Sequence, residues 1–111
     1  MKRYIRSAKT PRSHNLTFAD LYNYEDQLFD HIESDFGLKV KDVVRRSESD
    51  SAEFRFNMYS GRKYIAKCRI GLYLPHSNPI HVVFDYERDK QFNSFDAATQ
   101  YIDDMLSSYS E

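Results

Sequence analysis

Residues 52–74 read AEFRFNMYSGRKYIAKCRIGLYL. On either side of Ser60-Gly61-Arg62 the bulky side chains return at every second position: Phe54, Phe56 and Met58 before it, then Tyr64, Ala66, Cys68, Ile70, Leu72 and Leu74. A period of two with polar residues between is the mark of a strand with one buried face, and a glycine between two such runs marks a hairpin. A three-residue loop would pair Met58 with Tyr64, Phe56 with Ala66 and Phe54 with Cys68, with Glu53 opposite Arg69.

The alternation continues past PHSNP (75–79) into Ile80, Val82, Phe84 and Tyr86. Pairing Leu74 with Ile80, Leu72 with Val82 and Ile70 with Phe84 sets Arg69 against Asp85 and Lys67 against Glu87. Upstream, LKVKDVVRR (38–46) reads as a further strand whose alternation slips at Asp42.

Helical stripes flank this meander. Phe18, Leu21, Tyr22, Leu28, Phe29, Ile32 and Phe36 follow a 3.6-residue period that stops at Gly37. Thr17 with Asp20 and Asn23 with Asp26 both form capping boxes. With Asn23 as the cap, the preferred reading, Glu25 is an ordinary first-turn acid; in one continuous helix it falls on the apolar stripe and needs a buried partner. After the strands, Ser94 caps a helix carrying Phe95, Ala98, Tyr101, Ile102, Met105, Leu106 and Tyr109 on one stripe. The expected fold is α+β: a two-layer sandwich with an antiparallel, three- to four-stranded sheet and an N-terminal and a C-terminal helix packed on one face. A basic arm over 1–15 precedes a single domain over 16–111.

The 111 residues include 41% hydrophobic and 15% aromatic ones, enough for a core despite a mean hydropathy of −0.73. A lone cysteine, Cys68, excludes an internal disulfide, and no apolar run is long enough for a membrane span. Without the apolar region of a signal peptide after its first charges, the chain reads as cytoplasmic. The net charge of −1 conceals alternating blocks: +5 over 1–15, −6 over 16–37, +5 over 38–74 and −5 over 75–111.

Candidate chemistry is sparse. Asp85 and Glu87 have the spacing of nuclease carboxylates, yet the expected register neutralises them with Lys67 and Arg69. His14, His31, His76 and His81 are scattered, Cys68 points inward without a base beside it, and Gly37, Gly61 and Gly71 form no phosphate loop. No cofactor, no metal and no enzymatic activity are expected.

Two surfaces remain. The sheet's other face would show Arg55, Tyr59, Lys63, Lys67, Arg69 and Tyr73, and the arm adds Arg3 and Arg6; this is either a solvated face or a mixture that binds a partner or nucleic acid. The helices would display Asp26, Asp30 and Glu33 on one and Asp96, Asp103 and Asp104 on the other. Such carboxylates either keep a surface soluble or imitate the phosphates that a basic groove binds.

The opening MKRYIRSA resembles the start of short proteins from phages and mobile elements of Gram-positive bacteria, and FNSFDAATQYI is similar to their strand-then-helix endings. That resemblance implies an anti-CRISPR-like inhibitor whose partner is a host protein, such as a type II CRISPR effector nuclease. The helix–sheet–helix order also resembles the double-stranded RNA-binding domain, which implies a nucleic-acid-binding module as the alternative. That family anchors phosphate with lysines at the start of its last helix, where SFDAATQ carries Asp96 instead.

Overall fold

The computed structural model describes residues 16–74 and 76–109. The basic arm, with Arg3 and Arg6, lies outside the described residues.

Helix α1 (Phe18–Phe36) is followed by strands β1 (Lys39–Ser47), β2 (Ser51–Ser60), β3 (Lys63–Tyr73), β4 (Ile80–Phe84) and β5 (Lys90–Phe92), then helix α2 (Phe95–Tyr109). The strands form one antiparallel meander in chain order, and both helices lie on the same side of it. The fold is therefore the expected α+β sandwich with five strands instead of three or four. The extra strand, β5, is only three residues long, too short for a periodic signal.

The core is the alternation made physical. Phe54, Phe56, Met58, Ala66, Cys68, Ile70, Leu72, Ile80, Val82 and Phe84 are buried from the sheet, against Leu21, Leu28 and Ile32 of α1 and Ala98, Ile102 and Leu106 of α2. Each large side chain so buried contributes about 1.5–3 kcal/mol of transfer free energy.

Both hairpins are displaced by two residues from the expected register. Ser60 pairs with Lys63 around a two-residue turn in which Gly61 takes φ 62°, a left-handed conformation that costs glycine nothing. Tyr59 then pairs with Tyr64 and Met58 with Ala66, so Ile65 is an extra, bulged residue. Beyond the bulge Phe56 meets Cys68 and Phe54 meets Ile70; in the second hairpin Leu72 meets Ile80, Ile70 meets Val82 and Cys68 meets Phe84. A shift of two keeps every residue from Ala66 onward on its expected face, because side chains alternate with the same period. The charge pairs do change. Glu53 faces Gly71, Arg69 lies between Arg55 and Val83, and Glu87 faces neither base.

Local corrections follow from the bulges and turns. Tyr64, expected inside, is 43% exposed, while Ile65, expected outside, packs against the core. β1 breaks register between Lys41 and Val44, with Asp42 at φ 59°, where the alternation slips. β4 ends at Phe84, so Tyr86, expected on the buried face, is fully exposed, and Asp85 and Glu87 do not share a strand face.

α1 is one continuous helix. Thr17 is its cap, with Thr17 Oγ1 accepting from the Asp20 amide and the Asp20 carboxylate accepting from the Thr17 amide. The Asn23 cap is therefore not used, and Glu25 is buried at 1% exposure with Arg45 of β1 as its partner. Tyr24, missed by the apolar stripe, is buried as well: its ring stacks on Phe95 at 4.4 Å and its hydroxyl shares a hydrogen bond with that of Thr99 at 2.7 Å.

Candidate macromolecular interfaces

The fold sorts charge by layer. α1 and α2 together carry Asp20, Glu25, Asp26, Asp30, Glu33, Asp35, Asp96, Asp103 and Asp104, and neither contains a lysine or an arginine. The strands carry Lys39, Lys41, Arg45, Arg46, Arg55, Lys63, Lys67, Arg69 and Lys90 against only Asp42 and Glu53. Because helix and strand elements occupy different layers, the blocks of alternating charge in the sequence become two opposed surfaces.

On the helical layer Asp26, Asp30 and Glu33 recur at four and three residues, the spacing of one helical face, and all three are exposed. Glu33 also accepts the Val40 amide at 3.2 Å, which anchors the start of β1 to the helix. Asp96 and Asp104 are exposed on α2, where Asp104 accepts from Gln100 at 3.1 Å. Asp103, expected on the outer side, is instead half-buried where the helices meet: His31 bridges it at 2.7 Å and Asp35 at 3.1 Å. Its carboxylate works between the helices, not on the open surface.

On the uncovered face of the sheet the structure gathers Arg55, Tyr59, Lys67, Arg69 and Tyr73 as expected. Lys63 is not with them. The bulge turns it to the helical side, where it lines a groove of about 260 Å³ with Phe36, Leu38 and Tyr109. In its place stand residues that the sequence reading missed, Lys41 and Arg46 on β1, paired with outward-facing Asn57 and Glu53. The usable signal was the slip at Asp42, which changes the faces of the residues around it.

Arg55 and Arg69 lie directly opposite one another, with Val44 and Val83 as their neighbours on the outer sides. Two aromatic groups bracket them. Toward the β2–β3 turn, Tyr59 and Tyr64 meet edge to face at 5.7 Å, and Lys41 stands 5.2 Å from the Tyr59 ring centre. The Tyr64 hydroxyl donates to Asp85, whose Oδ2 also accepts the Lys67 amide at 3.1 Å; desolvation and that carboxylate hold the phenol protonated beyond its usual range. At the other end the Tyr73 ring covers Gly71, lies 4.4 Å from the His81 ring and donates its hydroxyl to Glu53 at 3.4 Å. Desolvation, and then the Glu53 charge, likewise raise the Tyr73 hydroxyl.

The carboxylates singled out for nuclease chemistry are thus engaged differently than expected: Asp85 by a phenol and an amide, with Arg69 facing Arg55 instead. Among the described residues no group of three or more His, Cys, Asp or Glu side chains is arranged to hold a metal ion. No described helix is long and apolar enough to cross a membrane. Compared with family models, curated proteins and solved structures, the chain matches none.

Proposed function

We propose that this chain is a small, non-enzymatic binding protein of phage or mobile-element type that acts in the bacterial cytoplasm. It docks through its acidic helical layer on a host nucleic-acid-handling protein, such as a CRISPR effector nuclease, and inhibits it. The observation that carries this reading is the composition of that layer: two helices with no lysine or arginine and nine carboxylates, of which only Glu25 is buried and Asp103 is held between the helices, with a row at Asp26, Asp30 and Glu33 whose successive charges are about 6 and 4.5 Å apart along a rigid axis. Fixed anions in a row complement a groove built to hold phosphates, and such complementarity speeds encounter and sets partner choice.

The test uses a purified type II effector nuclease with its guide and target. The intact protein is expected to slow cleavage, and the triple variant Asp26→Asn, Asp30→Asn, Glu33→Gln to lose most of that effect while keeping its urea midpoint. Equal inhibition by the triple variant, or absence of a complex with the effector and with any nucleic-acid-handling protein captured from nuclease-treated lysate, overturns the reading.

A further inference from the structure

The uncovered sheet face is independent of the helical layer and poses a problem of its own. Like charges directly opposite each other weaken an antiparallel ladder, and Arg55 faces Arg69 with valines, not carboxylates, on the outer sides. Among the described residues neither guanidinium belongs to an ion pair, whereas Arg45, pointing to the other side, does. An anion placed between the two would convert the repulsion into a paired clamp, since guanidinium forks match phosphate oxygens.

The flanking tyrosines narrow the choice of anion. Tyr64 is fixed by its bond to Asp85, and Tyr73 lies against the backbone of Gly71 with its hydroxyl on Glu53. Two held rings spaced about 20 Å apart along β3, the Tyr73 ring lying back over Gly71, are flat platforms that lose little freedom when something stacks on them. Each has a carboxylate beside its hydroxyl, so phosphate is disfavoured at both ends and favoured in the middle, over Arg55, Arg69 and Lys67. A duplex hides the faces of its bases; a single strand offers them together with its phosphates.

We propose that the uncovered sheet face binds single-stranded nucleic acid, with Arg55 and Arg69 clamping phosphate and Tyr64 and Tyr73 stacking on flanking bases. Contact of Arg55, Arg69 and Lys67 with phosphate would make binding fall about 20-fold between 50 and 200 mM salt.

The test is fluorescence anisotropy of the full chain with labelled dT12, U12 and a 12-base-pair duplex. Either or both single strands are expected to bind at least tenfold tighter than the duplex; their ratio reports DNA or RNA preference. Arg55→Ala with Arg69→Ala is expected to weaken single-strand binding at least tenfold and flatten its salt dependence. Tyr73→Leu is expected to weaken binding while leaving the salt slope unchanged. The triple helical variant is expected to bind as tightly as the intact protein or tighter. Undetectable single-strand binding at 50 mM salt overturns the proposal, as does equal affinity for the duplex. Binding unchanged in the double arginine variant would place it on the basic arm, and competition by poly-glutamate as effective as by dT12 would show an acidic-peptide surface; either also overturns it.

Discussion

Arg45, on the first strand, reaches back to the helix and pairs with the carboxylate of Glu25, a residue only 1% exposed; its Nε donates to Glu25 Oε1 at 2.9 Å. The bulge at Asp42 makes this possible by turning Arg45 to the same side as Phe54, its partner on β2. The Arg45 side chain remains 55% exposed, so one end of the pair is wet and the other dry. Removing the wet end strands a buried charge, and Arg45→Ala is expected to destabilise the fold by about 2–4 kcal/mol. Glu25→Leu with Arg45→Met removes both charges and is expected to recover most of that loss. Urea unfolding of the two variants checks this, and equal stability of both would show that the pair contributes little.

That same pair marks where the sequence stops being legible. Away from the bulge and the strand end that misplaced Tyr64, Ile65 and Tyr86, period two identified the residues that fill the sheet side of the core, and period 3.6 identified both helices though not the start of the first, because burial depends on a residue's own face. Glu25 was different: whether a carboxylate can remain on an apolar stripe depends on a base twenty positions away, and Arg45 reaches it only through a bulge. The hairpin registers behaved likewise. Face was readable and cross-strand partner was not, since a two-residue turn plus a bulged Ile65 leaves parity intact but moves Arg69 from Glu53 to Arg55. The basic sheet surface was therefore foreseen as a composition, and the Arg55–Arg69 apposition within it was not.

Burial pushes the Cys68 thiol well above its ordinary value of 9.0 and the Tyr24 hydroxyl above 10.0, the latter despite the hydrogen bond to Thr99. Both groups keep their protons in the folded state while the unfolded chain gives them up. Their contribution to stability is thus intact below about pH 9 and is lost as pH rises, by up to about 1.4 kcal/mol per group per pH unit. Urea midpoints are expected to be flat from pH 7 to 8.5 and to fall above pH 9. Cys68→Ala is expected to delay the onset by about one pH unit, toward the ordinary value of 10.0 for the tyrosine. Rapid reaction of native Cys68 with a thiol reagent at pH 8 would contradict its burial.

Gly71 is the one sheet glycine whose missing side chain is used. A Cβ there would stand 2.7 Å from the Tyr73 ring, so Gly71→Ala makes the tip of that part-exposed ring swing aside and is expected to cost up to about 1 kcal/mol. With Tyr73→Leu already in place, Gly71→Ala is expected to cost much less, because the two changes share one contact. Additive losses in this double-mutant cycle would mean that the glycine matters for another reason.

Among the described residues, two other than glycine adopt left-handed backbone conformations, Asp42 at φ 59° and Tyr86 at φ 64°. They are not equivalent. Aspartate tolerates this region, and the Asp42 carboxylate accepts from Asn57 at 2.9 Å, so replacing it exchanges strain for a lost hydrogen bond. Tyr86 is fully exposed and its bulky side chain has no such excuse, which leaves strain of about 1 kcal/mol with no packing to offset it. Tyr86→Gly is expected to stabilise the protein by about 0.5–1 kcal/mol, while Asp42→Gly is expected to be neutral or destabilising. Matched urea titrations decide between them: a loss of stability in Tyr86→Gly would show that the exposed ring is held by contacts on the folded surface. A gain would show that the ring is kept at a cost to the fold, as expected of an aromatic side chain retained for a partner.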